Sequence, residues 1–197
     1  LESREDLVRD LNPLYVQFNQ ASESDPQLDS LARDWFRKLE SGDPHAVERW
    51  QRIRSVSLDK FDTIYQRLGV HFDETVGESH YQDAMLEMVD QLKGAGILEQ
   101  SDGADVVRLS EEIPPMLIRK QDGATLYGTR DLASAVLRHQ MFPFDRCLYV
   151  VDAGQGLHFR QVFGVLKLLG YSWADQLEHA EFGVMRLQVD GAWKKGK

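Results

Sequence analysis

Cysteine is almost missing from this chain: Cys147 stands alone among 197 residues. A single thiol closes no disulfide within the chain and builds no cysteine-based zinc site. Its apolar neighbours Leu148, Tyr149 and Val150 mark an inert core position rather than a nucleophile. No apolar run approaches the ~18 residues of a membrane span, and the N-terminus lacks a signal-peptide pattern. A reducing cytoplasm and no membrane contact are the expected setting. Positive charge is also short: 23 Lys and Arg face 32 Asp and Glu, a net charge of −9. Such a surface repels nucleic acid, so any contact with it must come from a local basic patch or from other parts of a longer protein. The phosphate-binding fingerprints GxGxxG and GxxxxGK[ST] are absent, as are a Ser-His-Asp pattern and a GxSxG elbow. His158 has no second ligand at metal spacing, so no metal site is expected.

What is present reads as a globular chain, 42% hydrophobic and 28% charged, long enough for one sizeable domain or two small ones. Leu7, Val8, Leu11, Leu14, Tyr15 and Phe18 recur at helical spacing, with Pro13 breaking or kinking that helix. Leu28, Leu31, Trp35, Phe36 and Leu39 predict an amphipathic helix over 26–39. Asp43-Pro44 caps a long helix that runs to Leu68 and is closed by Gly69. Residues 1–69 are therefore expected to form a helical segment packed on an α/β region over 70–197.

In that second region Val70 to Asp73 reads as a strand, followed by Glu78 at a strand-to-helix turn and a helix over 81–94. Val106 to Leu109 and Met116 to Arg119 alternate as short strands, with turns at Asp102-Gly103 and Pro114-Pro115. Asp122-Gly123 then predicts a hairpin into a strand over 124–127, a small β-hairpin insertion. A helix over 131–141, an apolar strand over 146–152, a helix over 158–170 and a strand over 180–187 follow. This β-α-β order argues for an α/β class with part of a doubly wound parallel sheet.

Polar residues gather where those strands give way to helices, which is where α/β sheets bind ligands. Glu78 reads as a helix-start residue favoured by the dipole, or as a carboxylate aimed at a cation. Arg130-Asp131 reads as an ion pair at a helix start. Together with Tyr127 and Glu78, Asp131 would also make an anionic pocket with an aromatic wall, suited to a guanidinium. Asp152-Ala153-Gly154-Gln155-Gly156 is a glycine-bearing turn, and His158 and Gln161 share the helix face that follows it.

Three ordered motifs then resemble a known family. DGATLYGTRDLA over 122–133, LYVVDAGQGLHFRQVF over 148–163 and FDETVGES over 72–79 are similar to signature segments of arginyl-tRNA synthetases. The resemblance covers about 50–187. It implies a Rossmann-like class I synthetase catalytic domain that activates arginine with ATP and transfers it to tRNA-Arg. By resemblance Glu78, Tyr127, Asp131 and Gln155 form the arginine pocket, and His158 and Gln161 lie on the ATP side. ATP is then a substrate, Mg2+ accompanies it, and the full-length protein is expected to be a monomer. The HIGH-type and KMSK-type motifs of the class are not in the chain, so the catalytic residues stay unassigned and the chain is expected to be a central fragment, inactive alone. The alternative is a non-catalytic nucleotide- or arginine-binding module of similar fold.

Overall fold

The computed structural model describes residues 4–121, 123, 125–189 and 191–195. The chain divides into two compact units, residues 1–75 and 76–197.

The first unit holds three helices, α1 (Arg4–Ser22), α2 (Pro26–Glu40) and α3 (Pro44–Leu68). Pro13 lies inside the 19-residue helix α1 without ending it. Asp25 and Asp43 cap α2 and α3, their carboxylates accepting from Gln27 N at 3.0 Å and from His45 and Ala46 N at 3.1 and 3.0 Å. Each Pro follows its cap, where no amide hydrogen is needed. The expected strand over 70–73 does not form. Gly69 turns left-handed at φ 67°, and the amides of Gly69 and Val70 close back on Gln66 O and Tyr65 O. This is a Schellman closure. The Phe72 ring then packs edge-on against Tyr65, with centroids 4.8 Å apart. Apolar residues that alternate like a strand are used here to finish a helix.

The second unit opens with a 3-10 turn (Glu78–Tyr81) that runs into α4 (Gln82–Gly94). A three-stranded antiparallel sheet follows: β1 (Glu99–Ser101), β2 (Ala104–Val107) and β3 (Met116–Arg119). Ser101 pairs with Ala104. The two residues between them both have positive φ, 50° at Asp102 and 79° at Gly103, the backbone that a two-residue hairpin requires. Asp105 on β2 is 4% exposed, and its carboxylate accepts from Gln100 on β1 and from Arg119 on β3. One buried acid thus links all three strands.

The expected hairpin after β3 is reduced to a single bridge between Arg119 and Thr125; Asp122 and Ala124 lie outside the described residues. Tyr127 does not end a strand. It opens α5 (Tyr127–Met141), four residues earlier than the sequence suggests. Leu126 is extended and offers no side-chain cap, so the usual start signal is missing and Asp131 takes its place in the pattern.

Strand β4 (Cys147–Asp152), a short 3-10 turn (Ala153–Gln155), α6 (Gly156–Leu168) and β5 (Leu177–Phe182) make the βαβ part of the fold. β4 and β5 pair in parallel from Cys147↔Leu177 to Asp152↔Phe182, so the α/β class with a parallel sheet holds. The strand expected over 180–187 is two elements: β5 ends at Phe182, and Arg186 opens β6 (Arg186–Val189), which pairs with β7 (Ala192–Lys195). Gly183 and the two residues after it break the run. The buried core joins Met88 and Leu92 of α4, Ile118 of β3, Leu132 of α5 and Val162, Val165 and Leu166 of α6. Among the described residues, no helix is long and apolar enough to cross a membrane.

Candidate functional site

The first turns of α5 and α6 bring Tyr127, Asp131 and His158 together. Tyr127 and Asp131 lie four apart on α5 and so share a face. Across from them, the His158 ring of α6 is 5.0 Å from the Tyr127 ring, tilted by 48°. His158 Nε2 donates to Asp131 Oδ2 at 2.6 Å. The His158 side chain is 11% exposed and the Asp131 side chain 39%, so a carboxylate with one edge engaged keeps another open. Tyr127 is 63% exposed; its ring forms an open wall rather than core.

Thr129, between them, is fully buried. Its hydroxyl donates to Ile118 O at 2.6 Å, which fastens the start of α5 to β3 and sets where Tyr127 and Asp131 emerge. Arg130, the next residue of α5, does not pair with its neighbour Asp131. Its Nη1 donates to Glu78 Oε2 at 2.5 Å, across 52 residues of sequence. Glu78, the first residue of its 3-10 turn, is exposed over 80% of its side chain. The same turn is held at its other end by Tyr81, which is buried. The Arg138 guanidinium stands 5.5 Å from the Tyr81 ring and 5.5 Å from the Tyr149 ring on β4.

Gln155 is exposed at the start of α6, after the turn in which Asp152 accepts from Gly154 N at 2.9 Å. Gln161 faces the sheet side: its Nε2 donates to Pro114 O at 2.7 Å, tying α6 to the loop before β3. Tyr127, Asp131 and His158 thus form one linked group, Glu78 meets α5 through the adjacent Arg130, Gln161 is engaged elsewhere and Gln155 stands apart on the turn before α6. Neither long-range pair, Arg130 with Glu78 or His158 with Asp131, follows from helical spacing, since each joins separate elements. Beside α6 runs an open groove of about 580 Å³ lined by Ala153, Gly156, Phe159, Arg160, His179 and Glu181. His179, which the motifs do not single out, donates to Val151 O at 3.0 Å and lies 4.7 Å from the Phe159 ring, tilted by 36°.

Cys147 is half-buried and unpaired. Burial pushes its thiol up, with the Arg138 charge opposing, which agrees with an inert thiol. Among the described residues no group of three or more His, Cys, Asp or Glu could hold a metal ion.

Fold and site together define an α/β domain with a parallel strand pair and polar side chains at the first turns of α5 and α6. Residues 2–195 match the family described as class I tRNA synthetases (R), catalytic domain, and the chain belongs to that family. It is 50% identical over 181 residues to an arginine–tRNA ligase 1 of Bacillus cereus, covering 91% of this chain and 32% of that protein. It is 45% identical over 182 residues to the arginine–tRNA ligase of Clostridioides difficile (strain 630), with 92% and 32% covered. The chain therefore spans about a third of the length of these curated relatives. Among solved structures, arginyl-tRNA synthetase of Plasmodium falciparum superposes with a TM-score of 0.71 at 26% identity, over 81% of this chain and 28% of that one. The arginyl-tRNA synthetase of Thermus thermophilus gives 0.66 at 18% identity, over 87% and 35%, a likeness of fold.

Proposed function

We propose that the full-length protein carrying this chain is an arginine–tRNA ligase, and that this chain supplies the arginine-recognising wall of its active site. The observation that carries the reading is the open carboxylate of Asp131 beside the exposed Tyr127 ring, on one helix face backed by His158. A guanidinium is planar, permanently charged and able to pair with a carboxylate through two parallel donors while stacking on a ring. Asp131 is assigned to that pairing, Tyr127 to the side-chain wall, and Glu78 and Gln155 to further polar contacts with arginine. His158 and Gln161 are assigned to the ATP side. Family membership and relatives that are arginine–tRNA ligases support the same substrate.

In the proposed reaction the arginine carboxylate attacks the α-phosphorus of ATP. A C–O–P mixed anhydride forms and pyrophosphate leaves. A ribose hydroxyl at the tRNA 3′ end then attacks the activated carbonyl, the ester forms and AMP leaves. The chain's own contribution is to fix the amino acid so that its carboxylate meets the phosphorus in line. Mg2+ would arrive with ATP, neutralising phosphate charge; no cluster of described residues is built to hold it. A cytoplasmic setting and a monomeric full-length protein belong to the same reading.

Amino-acid-dependent ATP–pyrophosphate exchange by the full-length protein, with tRNA present, tests it. Arginine is expected to support exchange, and citrulline, its neutral isostere, to be rejected by roughly a thousandfold or more, because the pocket's anion would be left unpaired. Lysine is expected to be refused as well, since a point charge cannot use the planar fork. Equal exchange with citrulline, or none with arginine, overturns the reading.

A further inference from the structure

Arg130 is poorly explained by stability. It occupies the first turn of α5, where the helix dipole disfavours a cation. Its Nε is buried and has no hydrogen-bond partner, a loss that folding does not repay. Its ion pair is with Glu78, whose side chain is 80% exposed, and pairs so open to water add little to folding. Arg130 thus contributes little to holding the fold, and its charged partner is a residue assigned above to the arginine pocket.

We propose that Arg130 is a positioning residue for arginine recognition: it holds the Glu78 carboxylate at the pocket and neutralises it there. This rests on the assignment of Glu78 to the arginine pocket made above. The geometry is specific. In a 3-10 turn, residues three apart lie nearly one above the other, so Glu78 stands over the buried Tyr81. Tyr81 lies beside Arg138 of α5, and Glu78 is held by Arg130 of the same helix. With the backbone of the turn fixed from below, Arg130 has only the exposed Glu78 side chain left to orient. The consequence is a division of labour between the two carboxylates. Glu78 already carries a guanidinium partner, so it presents an oriented acceptor of reduced charge. Asp131, faced by His158, is left as the anion that takes the substrate's own guanidinium.

A double-mutant cycle in the full-length enzyme tests this, reading KM for arginine and for ATP in pyrophosphate exchange. Arg130→Gln is expected to raise the arginine KM about tenfold and to leave the ATP KM within about twofold. Glu78→Gln should raise the arginine KM as well, and the double variant should be no worse than Glu78→Gln alone. Arg130→Lys, which keeps the charge and loses the fork, should recover part of the loss. Losses that multiply in the double variant, an unchanged arginine KM in Arg130→Gln, or equal rises in both KM values would overturn the proposal while leaving Glu78 in the pocket. If Glu78→Gln itself leaves the arginine KM unchanged, the pocket assignment of Glu78 falls, and the proposal with it. Unchanged thermal unfolding of Arg130→Gln separates either outcome from loss of fold.

Discussion

At the scale of single residues, the chain separates groups that are buried for packing from groups that are buried at a cost. Tyr149 belongs to the second kind. Its ring packs against Phe159 and Phe163, while its hydroxyl is buried beside the Arg138 guanidinium without a well-formed hydrogen bond. Burial pushes its pKa up to about 12, with the Arg138 charge pulling the other way. The sign of the pH effect follows. Above pH ~10 the unfolded chain loses the Tyr149 proton and the folded chain keeps it, so stability falls as pH rises toward the folded value. Unfolding followed by urea should lose roughly 2–3 kcal/mol from this group between pH ~10 and ~12. Tyr149→Phe should flatten that loss while staying within about 1 kcal/mol of the parent at pH ~7, since at most a weak contact with Arg138 is given up. An undiminished alkaline slope in the variant would contradict the assignment. The same scale shows what the sequence can and cannot reveal. The motif over 122–133 marks both Tyr127 and Asp131, but the face they share is hidden in the sequence, which places Tyr127 on a strand, whereas α5 already starts there. The partners Arg130–Glu78 and His158–Asp131 are set by tertiary placement, across 52 and 27 residues, and no local pattern encodes them.

At the scale of elements, caps and turns were the readable signals. Asp43, Gly69 and Asp102-Gly103 each mark a boundary where it occurs, because each satisfies a local backbone need. The start of α5 is hidden for the opposite reason: Leu126 caps nothing, and the run Thr125-Leu126-Tyr127 alternates like a strand. Val70 to Phe72 misleads in the same way, since its first amide and its ring are taken up by the end of α3. The link between strands β1, β2 and β3 through Asp105 is also invisible to periodicity, which reads only apolar faces. It makes a clear prediction. Arg119→Met leaves a buried carboxylate with a lost charged donor and should destabilise the chain by about 2 kcal/mol, less than a fully buried pair because Arg119 is 41% exposed. Adding Asp105→Asn to that variant should return part of the loss in urea unfolding, because a neutral amide is cheaper to bury. No recovery would mean that Asp105 is not the strained partner.

At the scale of the whole molecule, the two units are built differently. Among the described residues the first has few buried side chains, Ala46 and Val56 on α3 and none on α2. It keeps large apolar groups such as Leu31, Phe36, Phe61 and Leu68 exposed. The joined core lies within the second unit, from Met85 to Leu177, and there the α/β order and the parallel pair were legible because apolar strands and amphipathic helices alternate. Every proposed site residue also lies in that second unit. A rigid core under the first turns of α5 and α6 is what a guanidinium pocket needs, since bidentate pairing tolerates little misplacement. The central claim is that this pocket reads arginine and leaves ATP to other groups. The most direct measurement is the pair of KM values, for arginine and for ATP, in pyrophosphate exchange by the full-length enzyme carrying Asp131→Ala. The arginine KM should rise roughly a hundredfold or more, as expected when a charged partner is left unpaired, with the ATP KM nearly unchanged. Equal losses for both substrates would contradict it.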